Sequence, residues 1–406
     1  MKTAAVICEF NPFHKGHAYL FGMARQFGAD FVICLMSGDY VQRGEPAILD
    51  RYVRAEMALD GGADVVLSYP ARYAASSAES FASHAVRILD KLGCVDELIF
   101  GSESGDAARI MECARHLAFE SRDYQTKLKT ALREGLSFPR ARENALPEFR
   151  DLLGSPNDIL AIEYCKALIR CDSRIRPVTV KRIGAGHHEA GFRKTPDGNH
   201  AENETAISAS AGTVRSAMRL GEAEYLSAIP VFCHAALKRY LSVNCLMGAD
   251  AYDALLLDAL WRAGSADELA VYCDVTPEIA GTFLRERVLY MDRDEFIRRC
   301  TSKTVPASHI ARALLSLTLG LKDDPPVPSA AVTQLLGFRK EASGLLSRMN
   351  KECLVINPAK DIPKLSGPER FIIEEDFRVS NLYEALLAQR SGRRAVPALA
   401  RPVIKR

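Results

Sequence analysis

What the chain lacks narrows its function first. No apolar run approaches the ~20 residues a membrane-spanning helix needs, so no membrane association is expected. The apolar stretch in MKTAAVICEF is short and Glu9 interrupts it, so we read no export signal and expect a cytoplasmic protein. The 11 cysteines form no CxxC pair, and the 9 histidines make no metal-spaced set with them. Reduced, mostly buried thiols are therefore expected, with neither a disulfide frame nor a protein-held metal. No GxxxxGK[ST] loop occurs, which excludes a P-loop nucleotidase. An excess of one charge is missing too. The 53 Lys and Arg against 51 Asp and Glu leave +2, which rules out a bulk polycation but not a local basic face.

The chain has 406 residues, 48% hydrophobic and 26% charged, which suits an ordinary globular protein of two or three domains. Short apolar runs alternate with helical stretches over the first two hundred residues. Strands are expected at Ala4–Cys8, Phe31–Met36, Asp64–Leu67, Glu97–Phe100 and Pro177–Lys181. Helices are expected at Gly16–Gln26, Asp50–Leu59, Ala78–Leu92 and Pro156–Ile169, with a helical stretch at Ala107–Arg133 that breaks the rhythm. Short strands separated by helices imply parallel pairing through right-handed crossovers. The expected fold class is α/β, a doubly wound parallel sheet with its cleft at the strand C-termini. After about residue 225 the pattern turns mainly helical, near 232–242, 250–263, 267–272, 276–289, 306–320 and 340–350. We therefore expect a catalytic domain over 1–225 and a mainly helical region over 226–406. KDDPPVPS (Lys322–Ser329) reads as a linker, and Cys353–Ile356 as one more short strand.

The sharpest motif is EFNPFHKGH, Glu9–His17, which directly follows a buried strand and opens a helix. His14 and His17 are three apart and project from neighbouring sides of the helix start. Gly16 leaves no Cβ in the way of a ligand. Free N–H groups at the helix start favour an anion. The combination is a phosphate cradle whose fixed donors would stabilise the charge that grows in adenylyl transfer. The alternative is a pair of turn and capping histidines. A second motif, ISASAGTVRSAMRLG (Ile207–Gly221), places Ser208 or Ser210 as the cap of a helix ending at Gly221, with Arg215 in its first turns. Serine hydroxyls, helix N–H groups and an arginine fork suit departing β- and γ-phosphates, although an ordinary capped helix with a solvated arginine is the alternative.

These two motifs resemble the nucleotidylyltransferase superfamily, with its HxGH after the first strand and an ISSTxxR-like motif late in the domain. His14-Lys15-Gly16-His17 fits the first fully. Ser210–Arg215 fits the second loosely, because Gly212 stands where a hydroxyl residue is usual. SGDYVQRGEPAILDRYVRAEMAL, FGSE, PNDILAIEY, KRIGAGHHE, LLGF and FIIEEDF extend the likeness along nearly the whole chain. Together they resemble the bacterial tRNA(Met) cytidine acetate ligase family. The resemblance implies a Rossmann-like nucleotidylyltransferase domain that uses ATP with Mg²⁺. It also implies acetate and elongator tRNA(Met) as partners, through an acetyl-adenylate that acetylates N4 of the wobble cytidine. The ATP site would be Ile7, Cys8, Glu9, Phe10, Asn11, Pro12, Phe13, His14, Lys15, Gly16, His17, Ala18, Tyr19 and Leu20. Further ATP contacts would be Gly101, Asn157, Arg182, Ser210, Thr213 and Arg215, with His14 and His17 catalytic. The plain alternatives are a helix cap for Asn157 and a surface charge for Arg182.

Other features carry less. His187-His188-Glu189 is not HExxH and reads as a polar loop. Asp39, Gln42 and Arg43 follow the second strand and either face substrate or form a solvated loop. CTSKT, near Ser302, lies in the wrong domain for a synthetase-like lysine loop. RNA contact has two candidate surfaces. One is the acid-free end carrying Arg390, Arg393, Arg394, Arg401, Lys405 and Arg406. The other is the segment with Lys127, Lys129, Arg133, Arg140 and Arg142. Two rival functions remain at this stage. One is an adenylyltransferase acting on a small phosphorylated cofactor precursor. The other is a nucleotide-sensing RNA-binding protein without catalysis. The sequence leaves the oligomeric state open.

Overall fold

A computed structural model describes residues 1–182, 193–194, 207–323 and 330–406. The His187-His188-Glu189 loop and the proline-rich part of the 322–329 linker lie outside the described residues.

The first half forms β1 (Thr3–Cys8), α1 (Lys15–Gln26), β2 (Phe31–Ser37), α2 (Arg51–Asp60), β3 (Val65–Tyr69), α3 (Ala78–Leu92), β4 (Glu97–Ser102), α4 (Ala107–Ala118), α5 (Pro156–Arg170), β5 (Arg176–Lys181) and α6 (Ala211–Leu220). β1 sits between β2 and β4, and β3, β2, β1, β4 and β5 lie side by side in that order, all parallel. This is the doubly wound order, with the chain reversing direction of travel at β1. The strands are apolar on both faces because helices cover both. Ala5, Ile33, Leu35, Val65, Leu67 and Leu98 pack into one core layer, while Ala4, Val6, Val32, Cys34, Met36 and Ile99 pack into the other. The helical stretch expected over Ala107–Arg133 is two helices, because Ser121 caps a new one at Arg122–Arg133.

The second half is mainly helical, and the helices from Asp253 to Leu319, ending in α7 (Ala307–Leu319), enclose a core of their own around Leu256, Leu260, Phe283, Phe296 and Leu314. The chain then returns to the main sheet, through a strand the sequence reading missed at Thr333–Phe338 and the short strand it expected at Cys353–Ile356. β6 (Thr333–Phe338) pairs antiparallel with β3, and β7 (Leu354–Val355) and β8 (Ile404–Lys405) pair with β6. Between them runs α8 (Gly367–Arg390), also absent from the sequence expectations. Its Glu375, Asp376 and Glu384 are buried, so acids occupy core positions and hide the apolar period. No helix among the described residues is long and apolar enough to cross a membrane.

Candidate active site

β1 delivers the chain to the C-terminal edge of the sheet, and the loop Glu9–Phe13 turns it into α1. Phe10 takes φ 47°, in the left-handed region, and the Asn11–Pro12 bond is cis. Phe10 and Phe13 are fully buried, their rings 5.0 Å apart and packed on Phe21. The loop is thereby anchored from below. Cys8, Asn11 and Pro12 are buried too, so within Ile7–Leu20 only Gly16 and Tyr19 are exposed, and the two histidine rings are half-buried.

The histidines cap α1 in an unusual way. Gly16 N–H donates to His14 Nδ1 at 3.1 Å, and His14 N–H donates to His17 Nδ1 at 3.1 Å. This is a reciprocal capping box built from two imidazoles. Because both Nδ1 atoms accept, the hydrogen-bond pattern assigns the ring proton of each to Nε2. Neither Nε2 has a protein partner among the described residues. The rings stack with centroids 3.7 Å apart. Both remain partly open, yet they sit low enough for desolvation to dominate their protonation. His14 is pushed down to about 4 by burial, then by Arg182 and Arg215. His17 is pushed well down by burial, then by His14 and Arg182. At neutral pH the mouth therefore offers two neutral N–H donors on a preorganised helix start, beside two arginines. Capping and donation use different nitrogens, so the capping and cradle readings hold together.

Gly16 serves this geometry directly. A Cβ there would stand 3.0 Å from His14 Cε1, so a side chain would push the first ring out of place.

The second motif closes on the first. Ser210 caps α6, its Oγ accepting from Thr213 N–H at 3.1 Å and lying 2.9 Å from Thr213 Oγ1. Arg215 is not solvated. It is buried, and Nη1 donates to Asn11 O at 2.8 Å while Nη2 lies 3.8 Å from Glu45. Burial lowers its pKa. A Cβ at Gly212 would meet Ser210 Oγ at 3.6 Å, an ordinary contact, so packing does not force the glycine.

Arg182 follows β5, is exposed, and lays its side chain over Gly101; a Cβ on Gly101 would stand 3.3 Å from Arg182 Cγ. Gly101 thus lets Arg182 lie flat beside the histidines. Asn157 is not the cap of α5. It occupies the first turn, and its Nδ2 donates to Glu103 at 2.6 Å, while Asp158 N–H donates to the other Glu103 oxygen at 2.9 Å. The structure thus brings together His14, His17, Arg182, Gly101 and Arg215, and places Asn157 at the start of α5, held to Glu103 of the loop that follows β4.

Several supporting residues escaped the sequence reading. Arg54 is fully buried beneath the mouth and donates to the carbonyls of Glu9 at 2.6 Å, Ser37 at 3.0 Å and Leu49 at 2.9 Å, and also to Gly38. It pins the ends of β1 and β2 together. Arg51, also fully buried, joins Asp39 at 2.7 Å to Asp376 of α8 at 2.8 Å. Asp39 therefore belongs to a buried ion network and does not face substrate. Gln42 instead holds Glu9, its N–H donating to Oε1 at 2.7 Å, and burial raises the Glu9 pKa.

The two RNA surfaces suggested by sequence are largely neutralised. At the C-terminal end Arg390 pairs with Asp250, Arg393 and Arg401 with Glu384, and Arg406 with Glu56 and Asp60. In the other segment Lys127 pairs with Asp123, Arg140 with Glu143 and Arg142 with Glu163. Among the described residues no group of three or more His, Cys, Asp or Glu could hold a metal ion. Surface depressions of about 310 Å³ beside Glu79, Glu163 and Lys166 and about 620 Å³ beside Asp90 and Arg176 share no residue with either motif, so the chemistry locates the site, not the cavities.

Residues 1–396 match the model of the HIGH Nucleotidyl Transferase family. A tRNA(Met) cytidine acetate ligase of Caldicellulosiruptor bescii is 47% identical over 192 residues, which span 47% of this chain and 48% of that protein. So the chain spans about half the length of the first relatives it matches. The enzyme of the same name from Thermosipho melanesiensis is 31% identical across 100% of this chain and 99% of its own. Among solved structures, Thermotoga maritima TmcAL bound with alpha-thio ATP superposes with a TM-score of 0.87 at 26% identity, covering 100% of both chains. Its apo form gives 0.89 at 28% identity, covering 100% of this chain and 99% of that one. The chain belongs to the HIGH nucleotidyl transferase family and, within it, to the tRNA(Met) cytidine acetate ligases.

Proposed function

We propose that this protein uses ATP to activate acetate as acetyl-adenylate and passes the acetyl group to N4 of the wobble cytidine of elongator tRNA(Met). The observation that carries the reading is the capping box of His14 and His17, whose two Nε2–H groups, without a partner among the described residues, stand beside Arg182 and Arg215 at the C-terminal edge of the parallel sheet.

In the first step an acetate oxygen attacks the α-phosphorus of ATP and pyrophosphate leaves. Negative charge grows on the phosphate oxygens, and the neutral imidazole donors meet it without moving. Arg182, flat over Gly101, and the α6 start at Ser210, Thr213 and Arg215 face the leaving phosphates. Arg215 also fixes Asn11 O, so the same guanidinium holds the loop that carries the histidines. In the second step the cytidine amine attacks the acetyl carbonyl, the amide forms, AMP leaves and the amine proton is released. Mg²⁺ would offset the triphosphate charge. The carboxylates at the mouth do not form a site for it: Glu9 is held by Gln42 and Glu45 lies against Arg215, so no step is assigned through the ion.

The proposed division of labour places ATP chemistry in residues 1–225 and support for a bulky RNA partner in 226–406, in a cytoplasmic protein. The test is to incubate the protein with labelled acetate, ATP and tRNA and to analyse nucleosides by mass spectrometry. Acetylated cytidine from the tRNA and acetate-dependent pyrophosphate release are expected. Pyrophosphate release indifferent to acetate, with no modified nucleoside, overturns the reading in favour of adenylyl transfer to another acceptor.

A further inference from the structure

We infer that Arg43 and Arg219 form a docking rim for the RNA phosphate backbone at the mouth of the nucleotide site. This deepens the proposed function and rests on it for the identity of the RNA.

Arg43 sits at the tip of a small hairpin, Tyr40–Val41 paired with Glu45–Pro46. The tip is pinned from behind. Gly44 has φ 75°, and a Cβ there would stand 2.5 Å from the backbone of Ala311. Gly44 O accepts from Arg293 Nη2 at 2.5 Å. The turn is therefore clamped to the helical half while the Arg43 side chain stays exposed. Arg219 lies four residues after Arg215 on α6, hence on the same side of the helix and one turn further out, and it too is exposed. Neither arginine has an acidic partner among the described residues.

Both charges act on the buried Arg215, and each makes its protonation harder. The hairpin tip that carries Arg43 and the helix that carries Arg215 and Arg219 thus put three guanidinium groups around the mouth, with Glu45 and Glu9 as the opposing charges. Like charges held together on a rigid frame are unfavourable until an anion arrives. Most basic residues of the two surfaces suggested by sequence already have acids, whereas Arg43 and Arg219 have none among the described residues. A cation already paired has less to gain from a phosphate, and RNA affinity comes chiefly from uncompensated cations that displace counterions. The triphosphate is met further in, by His14, His17, Arg182 and Arg215. The outward pair is left for phosphates that come with the acceptor.

The test compares R43Q/R219Q with the native chain, using thermal melting to establish that both are folded. Binding of labelled tRNA is measured against salt by fluorescence anisotropy, and the KM for ATP by acetate-dependent pyrophosphate exchange without RNA. The variant is expected to bind tRNA about tenfold more weakly at low salt. Its log–log salt slope should be shallower by roughly one to two, since each backbone contact contributes about 0.7–0.9. Its KM for ATP should be unchanged. Native-like tRNA binding and slope overturn the proposal, and so does a KM for ATP that rises in step. K129Q/R133Q, in the rival segment, should bind tRNA normally; if that variant loses affinity and the rim variant does not, the proposal is also overturned. A native protein that binds tRNA with the expected slope but shows no acetate-dependent exchange refutes the proposed reaction and leaves the rim standing.

Discussion

Two pairs of arginines lie at the same end of the sheet and do opposite work. Arg51 and Arg54, beneath the mouth, are fully buried and surrounded by carboxylates and carbonyl oxygens. Arg182 and Arg215, around it, have few acidic neighbours and depress the protonation of His14. The lower pair is compensated, so it fixes shape. The upper pair is under-compensated, so it is prepared for an anion. Burial alone does not separate them, because Arg215 is buried too. What separates them is how far the protein itself fills their hydrogen bonds: in the lower pair every side-chain nitrogen but Arg51 Nη2 has a partner, whereas Arg215 holds one carbonyl and a Glu45 at 3.8 Å.

The comparison breaks most forcefully at Arg51. Removing it strands Asp39 and Asp376 as buried charges, and losing one member of a buried ion network costs roughly 3–5 kcal/mol. R51A should therefore lower the urea midpoint sharply or fail to fold. Replacing all three by apolar residues of similar size should recover much of that stability. If R51A is as stable as the native chain, the lower pair is not structural. The mouth should respond the other way. H17A removes a phosphate donor and one capping bond; the rate of acetyl-adenylate formation should fall by about 10²–10³, while the fold survives. A rate within a few-fold of native would remove His17 from the chemistry.

Gly16→Ala sharpens the contrast by moving stability and activity apart. The helix start accepts alanine, and a glycine-to-alanine change in a helix stabilises by at most ~1 kcal/mol. The new Cβ meets His14 Cε1 at 3.0 Å, so that ring must move. A variant that melts no lower than native yet turns over about tenfold more slowly is expected, a smaller loss than removing a ring outright. Equal activity would show that His14 has room to give.

How much of this was legible in the sequence depended on how local the cause was. The β1–loop–α1 unit was readable because strand, turn, glycine and histidines are contiguous, and the doubly wound order followed from the alternation of short apolar runs with helices. Ser210 was readable as a cap for the same reason. What escaped was whatever depends on a distant partner. Arg54 looks like a surface residue of an amphipathic helix until the carbonyls of Glu9 and Ser37 are brought to it. α8 did not read as a core helix because two of its buried acids, Asp376 and Glu375, find their arginines some three hundred residues away, at Arg51 and Arg72. β6 follows a proline-rich stretch and has a glycine at its close approach to Leu59 and Ile404, so its six residues showed no strand pattern of their own.

The smallest expected effect concerns acid. The unfolded imidazoles titrate near ~6.5. In the folded protein His14 titrates at about 4 and His17 well below its ordinary value, because burial and the flanking arginines oppose the charge. Between those values the unfolded chain binds more protons than the native one, so acid favours unfolding. Stability should be level above the unfolded value and decline as the pH falls from there towards about 4. Measured as the urea midpoint against pH, the decline should be shallower in H14N/H17N, which has no imidazole to protonate at either position. Saturating nucleotide should shallow it as well, since a bound polyphosphate favours the charged rings and brings their titration back up. An acid profile identical in the native chain and the double variant would show that the pair is not held neutral by its surroundings, and the contrast between the compensated floor and the poised mouth would lose its electrostatic basis.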